Sequence, residues 1–460
     1  MSDWKEYSLG DISRNISRRF DFNAYPNVVF INTGDVLNNQ FLHCDISNVK
    51  DLPGQAKKAI KKGDILYSEI RPGNGRYLFV DNDLDNYVVS TKFMVIEPNA
   101  NIVLPEFLFL LLISNETTEY FKMIAESRSG TFPQITFDSI SSLSLNIPNK
   151  ETQQKILDII TPLDDKIELN TQINQTLEQI AQALFKSWFV DFDPVRAKVQ
   201  ALSDGLNLEQ AELAAMRAIS GKTAEELTAL SQAHPDRYAE LAKTAKAFPC
   251  EIVEIDGVEV PKEWKQTTLS RICEMQNGYA FKSSEWTDTG IPVIKIGSIQ
   301  SKILTVEGNG FVSEDNLSLR SNFVLNGGDI VIGLTGAYVG KVGRMPANKK
   351  AMLNQRVAKF LAKRINESET FYSFIYMNVI QEEFKNFVDF TAQGSAQPNI
   401  STKDILKYPL LLANNDVHLA FEKLLKKILD KSIFNNYQNE ILSNSRDLLL
   451  PRLLDGENYE

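Results

Sequence analysis

An internal repeat restricts the fold of this chain more than any other feature of its 460 residues. Short motifs recur in the same order at an offset of about 260–265 residues, beginning with Trp-Lys at residues 4–5 and 264–265. The other matches are Gly-Asp-Ile at 63–65 and 328–330, Gly75-Arg76 with Gly340-Lys341, Gly130, Pro133, Ile135 and Ile140 with Gly394, Pro398, Ile400 and Ile405, and Asp165, Asn170, Asn174 and Leu177 with Asp430, Asn435, Asn439 and Leu442. The offset is far longer than the roughly 20–50 residues of a solenoid repeat, so it indicates a duplicated domain. A duplicated binding protein implies a target that also has two parts.

Both halves follow the same plan. Strand-like runs, such as residues 88–96 and 329–332, alternate with Gly, Asn and Asp turns. A long helical stretch follows each mixed region, from about residue 151 to 192 and from about 416 to 454. Thr161-Pro162, followed by acidic residues, is a good helix start, so the first stretch is predicted to kink or restart there. The pattern predicts an α+β chain of two tandem mixed α/β domains, each followed by a long helix.

The two predicted helices carry heptad repeats that contain paired asparagines. The first seam consists of Ile156, Ile160, Leu163, Ile167, Asn170, Asn174, Leu177, Ala181, Leu184 and Trp188. An offset of 265 gives Phe421, Leu425, Ile428, Ser432, Asn435, Asn439, Leu442, Arg446, Leu449 and Leu453. Buried asparagine costs stability and fixes register in coiled coils. We expect the helices to pair as an antiparallel coiled-coil spacer, with Asn170 and Asn174 facing Asn435 and Asn439. The alternative is that each helix packs on its own domain.

The charge of the chain does not by itself indicate a nucleic-acid partner, because its net value is −10. The distribution is uneven, however. Residues 341–364 contain eight Lys or Arg and no acidic residue, and residues 54–76 contain six basic residues against two acidic. Such clusters can present basic faces to phosphate on a protein that is acidic overall, or they can be ordinary solvated surface.

Cysteine and histidine usage indicates neither a disulfide framework nor a metal site. Cys44, Cys250 and Cys273 are far apart and form no C-x-x-C motif, which fits a reducing cytoplasm, and the three histidines are scattered. The chain opens without a secretory leader pattern. Its longest strongly apolar run, residues 107–113, is far shorter than the roughly 20 residues of a membrane span. We expect that run to be a buried helix and the protein to be cytoplasmic.

Residues 194–260 have no counterpart in the repeat. Between residues 201 and 260 there are eleven acidic residues against five basic ones. Segments rich in Ala, Glu and Leu predict helices that break near Gly221 and Pro235. We interpret this region as an acidic helical connector.

Several strings resemble the specificity (S) subunits of type I restriction–modification enzymes. They are ALFKSWFVDFDP at 183–194, LDDKIELN at 163–170, GSAQPNI at 394–400 and LPRLLDGE at 450–457. The resemblance covers the chain apart from the connector and agrees with the duplication. It divides the chain into a first target recognition domain (1–148), a central long helix (149–193), the connector (194–260), a second target recognition domain (261–411) and a C-terminal long helix (412–460).

The resemblance implies a protein that recognises double-stranded DNA and catalyses no reaction itself. Each target recognition domain would read one part of a bipartite site, and the helices would set the gap and dock two modification (methyltransferase) subunits. Restriction subunits, which are ATP-dependent nucleases and translocases, would join them in phage defence. No cofactor is expected in this chain, because S-adenosylmethionine, ATP and Mg are expected in the partner subunits. No membrane partner is expected.

Loops that combine basic or amide side chains with glycine are the features best suited to DNA contact, because Arg and Lys suit guanine or phosphate, and Asn and Gln suit adenine. Each half has two such loops, residues 69–77 and 127–135 in the first half and 335–341 and 393–399 in the second. Lys92 and Arg356 hold equivalent places between them. The predicted contacts are Arg71, Asn74, Arg76, Lys92, Arg128, Thr131, Gln134, Thr335, Tyr338, Lys341, Arg356, Gln397 and Asn399. The alternative for each is an ordinary turn or surface residue.

Other functional classes have weaker support. Residues 336–342 suggest a phosphate loop but lack one spacer residue and the Ser or Thr after the lysine. Asp236, Glu240 and Lys243 suggest a metal-dependent nuclease, but the Glu–Lys spacing is one residue too long. Residues 191–194 lack the Pro-Pro-aromatic sequence of an adenine methyltransferase. The remaining alternative is a duplicated protein-interaction scaffold without DNA specificity, which the heptad helices fit equally well.

Overall fold

The computed structural model describes residues 4–128, 132–300, 302–392 and 398–454, with the backbone alone at Arg128. The chain forms two compact units. The first unit consists of Met1–Asp165 and Ser443–Glu460, and the second consists of Lys166–Leu442. The boundaries fall inside the two long helices, so each helix contributes a segment to each unit.

The first unit is built on two four-stranded sheets. One has the strand order Ile46–Asn48, Asn27–Ile31, Tyr87–Ser90, Ala56–Ala59, and the other has the order Ser13–Asn15, Phe93–Pro98, Ile65–Ser68, Tyr77–Phe79. Two short pairs are Lys5–Ser8 with Ser144–Ile147 and Val36–Leu37 with Gln40–Phe41. Four shorter helices are Leu9–Ile12, Pro105–Ile113, Asn115–Arg128 and Phe137–Ile140.

The single strand predicted over residues 88–96 is wrong. A turn at Thr91 and Lys92 divides it into two strands that belong to different sheets. The hydroxyl of Ser90 accepts a hydrogen bond from the Lys92 backbone N–H at 3.2 Å, which is the local bond by which serine favours a turn. The apolar run continues through the turn, so its hydrophobicity alone does not reveal the break.

The buried helix predicted around residues 107–113 is confirmed, because Phe107–Leu112 all lie in the core within helix Pro105–Ile113. This core also contains Ile156 and Ile160, which come from the beginning of the central helix. Leu450 and Leu453, from the last turns of the C-terminal helix, complete it. The core of the first unit is therefore built from both ends of the chain.

The second unit repeats the same topology. A four-stranded sheet with the order Cys273–Asn277, Val357–Ala362, Ile330–Gly333, Val342–Arg344 corresponds strand for strand to a sheet of the first unit. A five-stranded sheet has the order Trp286–Thr287, Phe311–Val312, Ile291–Ile294, Ala351–Leu353, Val324–Leu325. Lys265–Thr268 pairs with Pro409–Leu412, and the shorter helices outside the connector are Asn316–Leu319, Tyr372–Val379, Glu382–Thr391 and Thr402–Ile405. The predicted duplication and fold class are confirmed.

Each long helix has 40 residues, Lys150–Phe189 in the centre of the chain and Asn415–Leu454 at its end. Of the two alternatives predicted at Pro162, a kink or a restart, the restart is wrong, because the central helix continues through this residue. Proline cannot donate the helical hydrogen bond at this position, but Pro162 is exposed, so water can reach the carbonyl that is left free.

The predicted asparagine pairing is present in the second unit. Asn170 donates to the side-chain oxygen of Asn439 at 2.9 Å, and Asn435 donates to that of Asn174 at 2.9 Å. Four residues forward on the central helix correspond to four residues back on the C-terminal helix, so the segments are antiparallel. The helices also pack on the domain core, where Phe189 of the central helix contacts Phe374 of helix Tyr372–Val379 at a ring distance of 4.7 Å. Pairing and domain packing therefore occur together.

The connector is helical, as predicted, and belongs to the second unit. Its helices are Asp193–Ser203, Leu208–Ser220, Ala224–Ala233 and Pro235–Ala247, followed by a hairpin of Ile252–Ile255 and Val258–Pro261. The breaks fall at Gly221, in the left-handed conformation at φ 67°, and at Pro235. Lys198 is buried, donates to the Phe248 carbonyl at 2.6 Å, and has a lowered pKa because of its burial. This bond fixes the first connector helix against the end of the last one.

Candidate nucleic-acid interface

The two predicted loops of the first half are joined by backbone hydrogen bonds. Ile70 and Gln134 form an antiparallel bridge, flanked by the Arg71 N–H donating to the Pro133 carbonyl at 3.0 Å and the Ile135 N–H donating to the Glu69 carbonyl at 2.9 Å. We call residues 69–77 and 132–135 the first loop pair. Two loops separated by more than fifty residues in sequence thus form one local surface.

The second half contains the same arrangement. Thr335 and Asn399 form an antiparallel bridge. The Gly336 N–H donates to the Pro398 carbonyl at 2.9 Å, and the Ile400 N–H donates to the Leu334 carbonyl at 3.0 Å. We call residues 334–341 and 398–400 the second loop pair. Sequence reasoning proposed both loop pairs, and the structure brings the members of each pair together.

Lys92 and Arg356 occupy equivalent turns beside the two loop pairs. The Lys92 carbonyl accepts from the Glu69 N–H at 3.0 Å, and the Arg356 carbonyl accepts from the Leu334 N–H at 2.9 Å. Arg356 is exposed with φ 68°, a strained conformation for a residue with a side chain. In each half, the two loops and this turn therefore meet at the end of one strand, which is Ile65–Ser68 in the first half and Ile330–Gly333 in the second.

The side chains of the first loop pair differ in what they can offer to a ligand. Arg71 and Asn74 are exposed, and Arg71 has the left-handed conformation at φ 47°. Arg76 donates to the carbonyls of Gly34 and Val36 at 2.8 and 2.7 Å, so it also holds a neighbouring turn. Lys92 lies 4.0 Å from the Glu69 carboxylate, and Gln134 is half-buried.

The second loop pair presents a cation on an aromatic ring. The Lys341 ammonium lies 4.7 Å from the centre of the Tyr338 ring, and Lys341 is exposed. Asn399 is exposed beside it in the same loop pair. The Thr335 hydroxyl is buried, and among the described residues it has no hydrogen-bond partner. Exposed guanidinium, ammonium and amide groups are the donors that contact phosphates and base edges.

Three predicted contacts lie outside the residues that the structure describes. They are Thr131, Gln397 and the side chain of Arg128. For the other ten, the placement beside the loop pairs is established, and the role in DNA contact stays a prediction.

Two lysines beside the loops were missed by sequence reasoning. A Cβ added to Gly73 would lie 2.1 Å from the side chain of Lys122, and one added to Gly340 would lie 3.1 Å from that of Lys385. Lys122 lies on helix Asn115–Arg128 and Lys385 on helix Glu382–Thr391. Each lysine pairs with an acidic residue of its own helix, Glu119 and Asp389 respectively. The sequence around these two lysines does not indicate DNA contact, because only the folded structure places them beside glycines of the loops.

The basic cluster predicted at residues 341–364 does not form a single face. Arg344 is 3% exposed, and Lys349 bridges Glu307 and Glu440 at 2.6 and 2.5 Å. Lys359 lies 3.1 Å from the Asp329 carboxylate. Alternation along the strands sends successive residues to opposite sides, so a charge run in sequence becomes several separate environments. Lys341 and Arg356 remain exposed beside the second loop pair.

The chain is a duplicated α+β recognition protein with one loop pair in each half, and comparison with known proteins identifies its family. A family model described as "Type I restriction modification DNA specificity domain" matches residues 1–179 and 261–418. The chain belongs to this family, and its function is DNA sequence recognition in a type I restriction–modification system. The two matched regions correspond to the two copies of the repeat, and each extends into the long helix that follows its domain. A scaffold without DNA specificity is not favoured.

The similarity extends over the full chain. The HindI specificity subunit of a type I restriction enzyme from Haemophilus influenzae is 64% identical over 465 residues, which cover 99% of this chain and 100% of that protein. The MjaIX specificity subunit from Methanocaldococcus jannaschii is 23% identical and covers 86% of this chain and 78% of that protein. A crystal structure of the S subunit from M. genitalium shares the fold, with a TM-score of 0.55 at 13% identity over 98% of this chain and 96% of that one.

Proposed function

We propose that each half of the chain reads one part of a bipartite double-stranded DNA site through its loop pair. The observation that carries this proposal is the repeated backbone arrangement at Ile70–Gln134 and Thr335–Asn399, which presents two equivalent surfaces on one chain. Two equivalent surfaces suit a target with two parts. Exposed Arg71, Lys341 and Asn399 supply donors for phosphates or base edges.

We further propose that the paired long helices set the gap between the half-sites and dock two modification subunits. The hydrogen-bonded asparagines support a fixed helix register. Apolar side chains that are exposed on the paired segments of the second unit would be available to pack against a modification subunit. They are Leu169, Ile180, Phe434 and Ile441, each between 45 and 49% exposed.

The partners in this proposal are DNA, the modification subunits and the ATP-dependent restriction subunits of one cytoplasmic complex. S-adenosylmethionine, ATP and Mg would bind to those subunits, and this chain would supply specificity. Among the residues that the structure describes, no helix is long and apolar enough to cross a membrane.

The test is methylation mapping of DNA from cells that express this chain together with its modification subunit. We expect adenine methylation at one two-part motif with a fixed gap. Exchanging residues 1–148 for those of a related subunit should change one half of the motif and leave the other half unchanged. An assembled complex that methylates no motif, or an exchange that changes both halves, would contradict the proposal.

A matched pair of lysines tests the second loop pair. Strand Val342–Arg344 separates Lys341 from Lys350, which is exposed and directly precedes the next strand, Ala351–Leu353. Lys341→Ala should weaken binding of duplex DNA, whereas Lys350→Ala should leave it unchanged. Equal effects of the two substitutions would show that the loss of one positive charge, rather than its position at the loop pair, accounts for the change.

A further inference from the structure

A cavity of about 340 Å³ lies within the second unit, where the paired helix segments meet the edge of the four-stranded sheet. Its lining includes Lys302 and Arg344, the amides of Asn174 and Asn436, and the apolar side chains of Leu177 and Met377. Arg344 ends the strand that begins directly after the second loop pair, so the cavity lies at the far end of that strand. It is thus distinct from the surface described above for DNA.

The Arg344 guanidinium in this cavity is a buried cation without a carboxylate partner among the described residues. Arg344 is 3% exposed, and strand pairing fixes its backbone, because its N–H donates to the Lys302 carbonyl at 2.8 Å. Nη1 donates to the Leu429 carbonyl at 3.2 Å, the guanidinium lies 4.4 Å from the Tyr376 ring centre, and Nε has no hydrogen-bond partner in the described part of the chain. Buried charges are normally paired, so this geometry points to a missing anion.

The other charges around the cavity do not neutralise Arg344. Lys302 forms an ion pair with Glu178 at the cavity wall. Burial and the charge of Arg344 both lower the pKa of Lys302. The Glu178 carboxylate is therefore paired with Lys302, and Arg344 keeps no carboxylate partner among the described residues.

The equivalent place in the first unit holds an ion pair. There the Arg446 guanidinium lies 2.7 Å from the Asp164 carboxylate, in the first unit. At the offset of 265 residues, the counterparts of Arg446 and Asp164 are Ala181 and Leu429, and both line the cavity. The counterpart of Arg344 is Phe79. The first unit thus holds a partly exposed guanidinium–carboxylate pair, whereas the second unit holds a buried guanidinium, an open space and, among the described residues, no carboxylate for that guanidinium.

We propose that this cavity binds a small carboxylate whose anionic group pairs with Arg344 and whose apolar body packs against Leu177, Met377 and Ile380. A volume of about 340 Å³ lies at the lower end of the range for small-molecule sites and suits an aromatic monocarboxylate. Since the cavity wall includes both helices and the sheet, the bound carboxylate stabilises their packing in the second unit. This inference is independent of the proposed DNA contacts.

The probe is benzoate, with benzamide as its neutral counterpart of the same shape. Thermal unfolding of the full-length chain is followed with increasing concentrations of each compound. Benzoate is expected to raise the unfolding temperature in a saturable manner, and benzamide is not. Arg344→Met should weaken benzoate binding by about tenfold to a hundredfold, the usual effect of losing a charge-assisted hydrogen bond. Lys350→Ala, which removes an exposed lysine of the same unit, should leave it unchanged.

A second variant keeps the test decisive if Arg344→Met folds poorly. Leu429→Asp supplies a carboxylate at the position that Asp164 occupies in the first half. It should abolish the response to benzoate, although the loss of a buried leucine lowers the unfolding temperature of the variant itself. The idea is overturned if benzoate and benzamide act alike, or if folded Leu429→Asp still responds to benzoate as the wild type does.

The same titration on the chain bound to its modification subunit distinguishes two sources of the carboxylate. A free small molecule leaves the site accessible, so benzoate acts on the chain alone and on the complex. A carboxylate side chain of the modification subunit would occupy the site, so benzoate would act on the chain alone, and Arg344→Met would also weaken assembly. Both results support a carboxylate site, and they assign it to different ligands.

Discussion

Replacing one asparagine of the helix pair should cost more stability than replacing two. Asn435 is fully buried and donates to the side-chain oxygen of Asn174 at 2.9 Å, but its own side-chain oxygen has no partner among the described residues. Asn435→Leu removes the donor and leaves the Asn174 oxygen unsatisfied. Adding Asn174→Leu removes that oxygen as well and brings two leucines together across the seam.

The structure sets the size of these effects. An unsatisfied buried polar atom costs about 1–3 kcal/mol, and because Asn174 is half-buried we expect Asn435→Leu to lower the free energy of unfolding by an amount near the lower end of this range. The double variant should lie within about 1 kcal/mol of the wild type, because it also removes the Asn174 oxygen that the single variant leaves unsatisfied. Asn174 also donates to the Ser432 carbonyl at 3.2 Å. This carbonyl lies inside a helix, where backbone carbonyls already accept a hydrogen bond from a backbone N–H, so losing the Asn174 bond costs little.

The assay is urea unfolding followed by tryptophan fluorescence, since Trp188 and Trp264 are buried in the core of the second unit. A double-mutant cycle with both single variants gives the coupling energy, which should be about 1–3 kcal/mol. If the costs of the two single substitutions simply add in the double variant, the asparagines are not coupled, and the reasoning fails.

Three further predictions follow from the described geometry. If the two long helices slipped by seven residues relative to each other, Asn174, Asn435 and Asn439 would lie opposite apolar positions, and the unsatisfied amides would cost about 3–9 kcal/mol in total. Replacing the paired asparagines by leucine removes this cost, so the variant should methylate motifs with more than one gap length. An unchanged single gap in a normally folded variant would refute the register role of the asparagines. If Lys341 contacts phosphate, Lys341→Ala should weaken DNA binding on all sequences and reduce the slope of log affinity against log salt concentration by about one. Arg76→Ala should weaken binding and also loosen the turn at Gly34, which is measured as faster hydrogen exchange there. Unchanged affinity and site choice in both variants would reject the assignment of these loops to DNA. Burial raises the pKa of Glu422 from its usual 4.5 to about 7, although two backbone N–H donors oppose this shift. The folded state therefore retains a proton that the unfolded chain releases, so stability should fall as the pH rises from about 4.5 to 7; this slope should shrink in Glu422→Gln, and an equal slope in both proteins would contradict the raised pKa.

The sequence predicted the parts of this fold that depend on repeated local pattern. Heptad spacing and paired asparagines located both long helices and their antiparallel register, because every turn of such a seam repeats the same signal. The run at residues 88–96 was predicted as one strand because both of its strands are apolar, and a single hydroxyl hydrogen bond at Ser90 makes the turn. Pro162 is tolerated inside a helix because it is exposed, which is a property of tertiary structure.

The candidate site was predictable to a similar degree. Glycine with Arg, Lys or Asn located the loop pairs, and the duplication matched them between the halves. Lys122 and Lys385 were not predictable, since they approach the loops from a helix distant in sequence. The cavity at Arg344 was also not predictable, because the ion pair of Arg446 and Asp164 in the first unit has no charged counterpart in the second. A missing partner becomes visible only when both halves are compared in three dimensions.

The way in which the first core is completed has a consequence for the order in which this protein matures. Ile156 and Ile160 leave the ribosome with the first domain, but Leu450 and Leu453, which complete the same core, are synthesised last. At about 5–20 residues per second, the interval between these segments is on the order of 15–60 s. The second unit ends at Leu442, so it can be complete while the first is still open. The part of the chain that is made first is thus the part that matures last, and until then its unfinished apolar surface requires protection from aggregation.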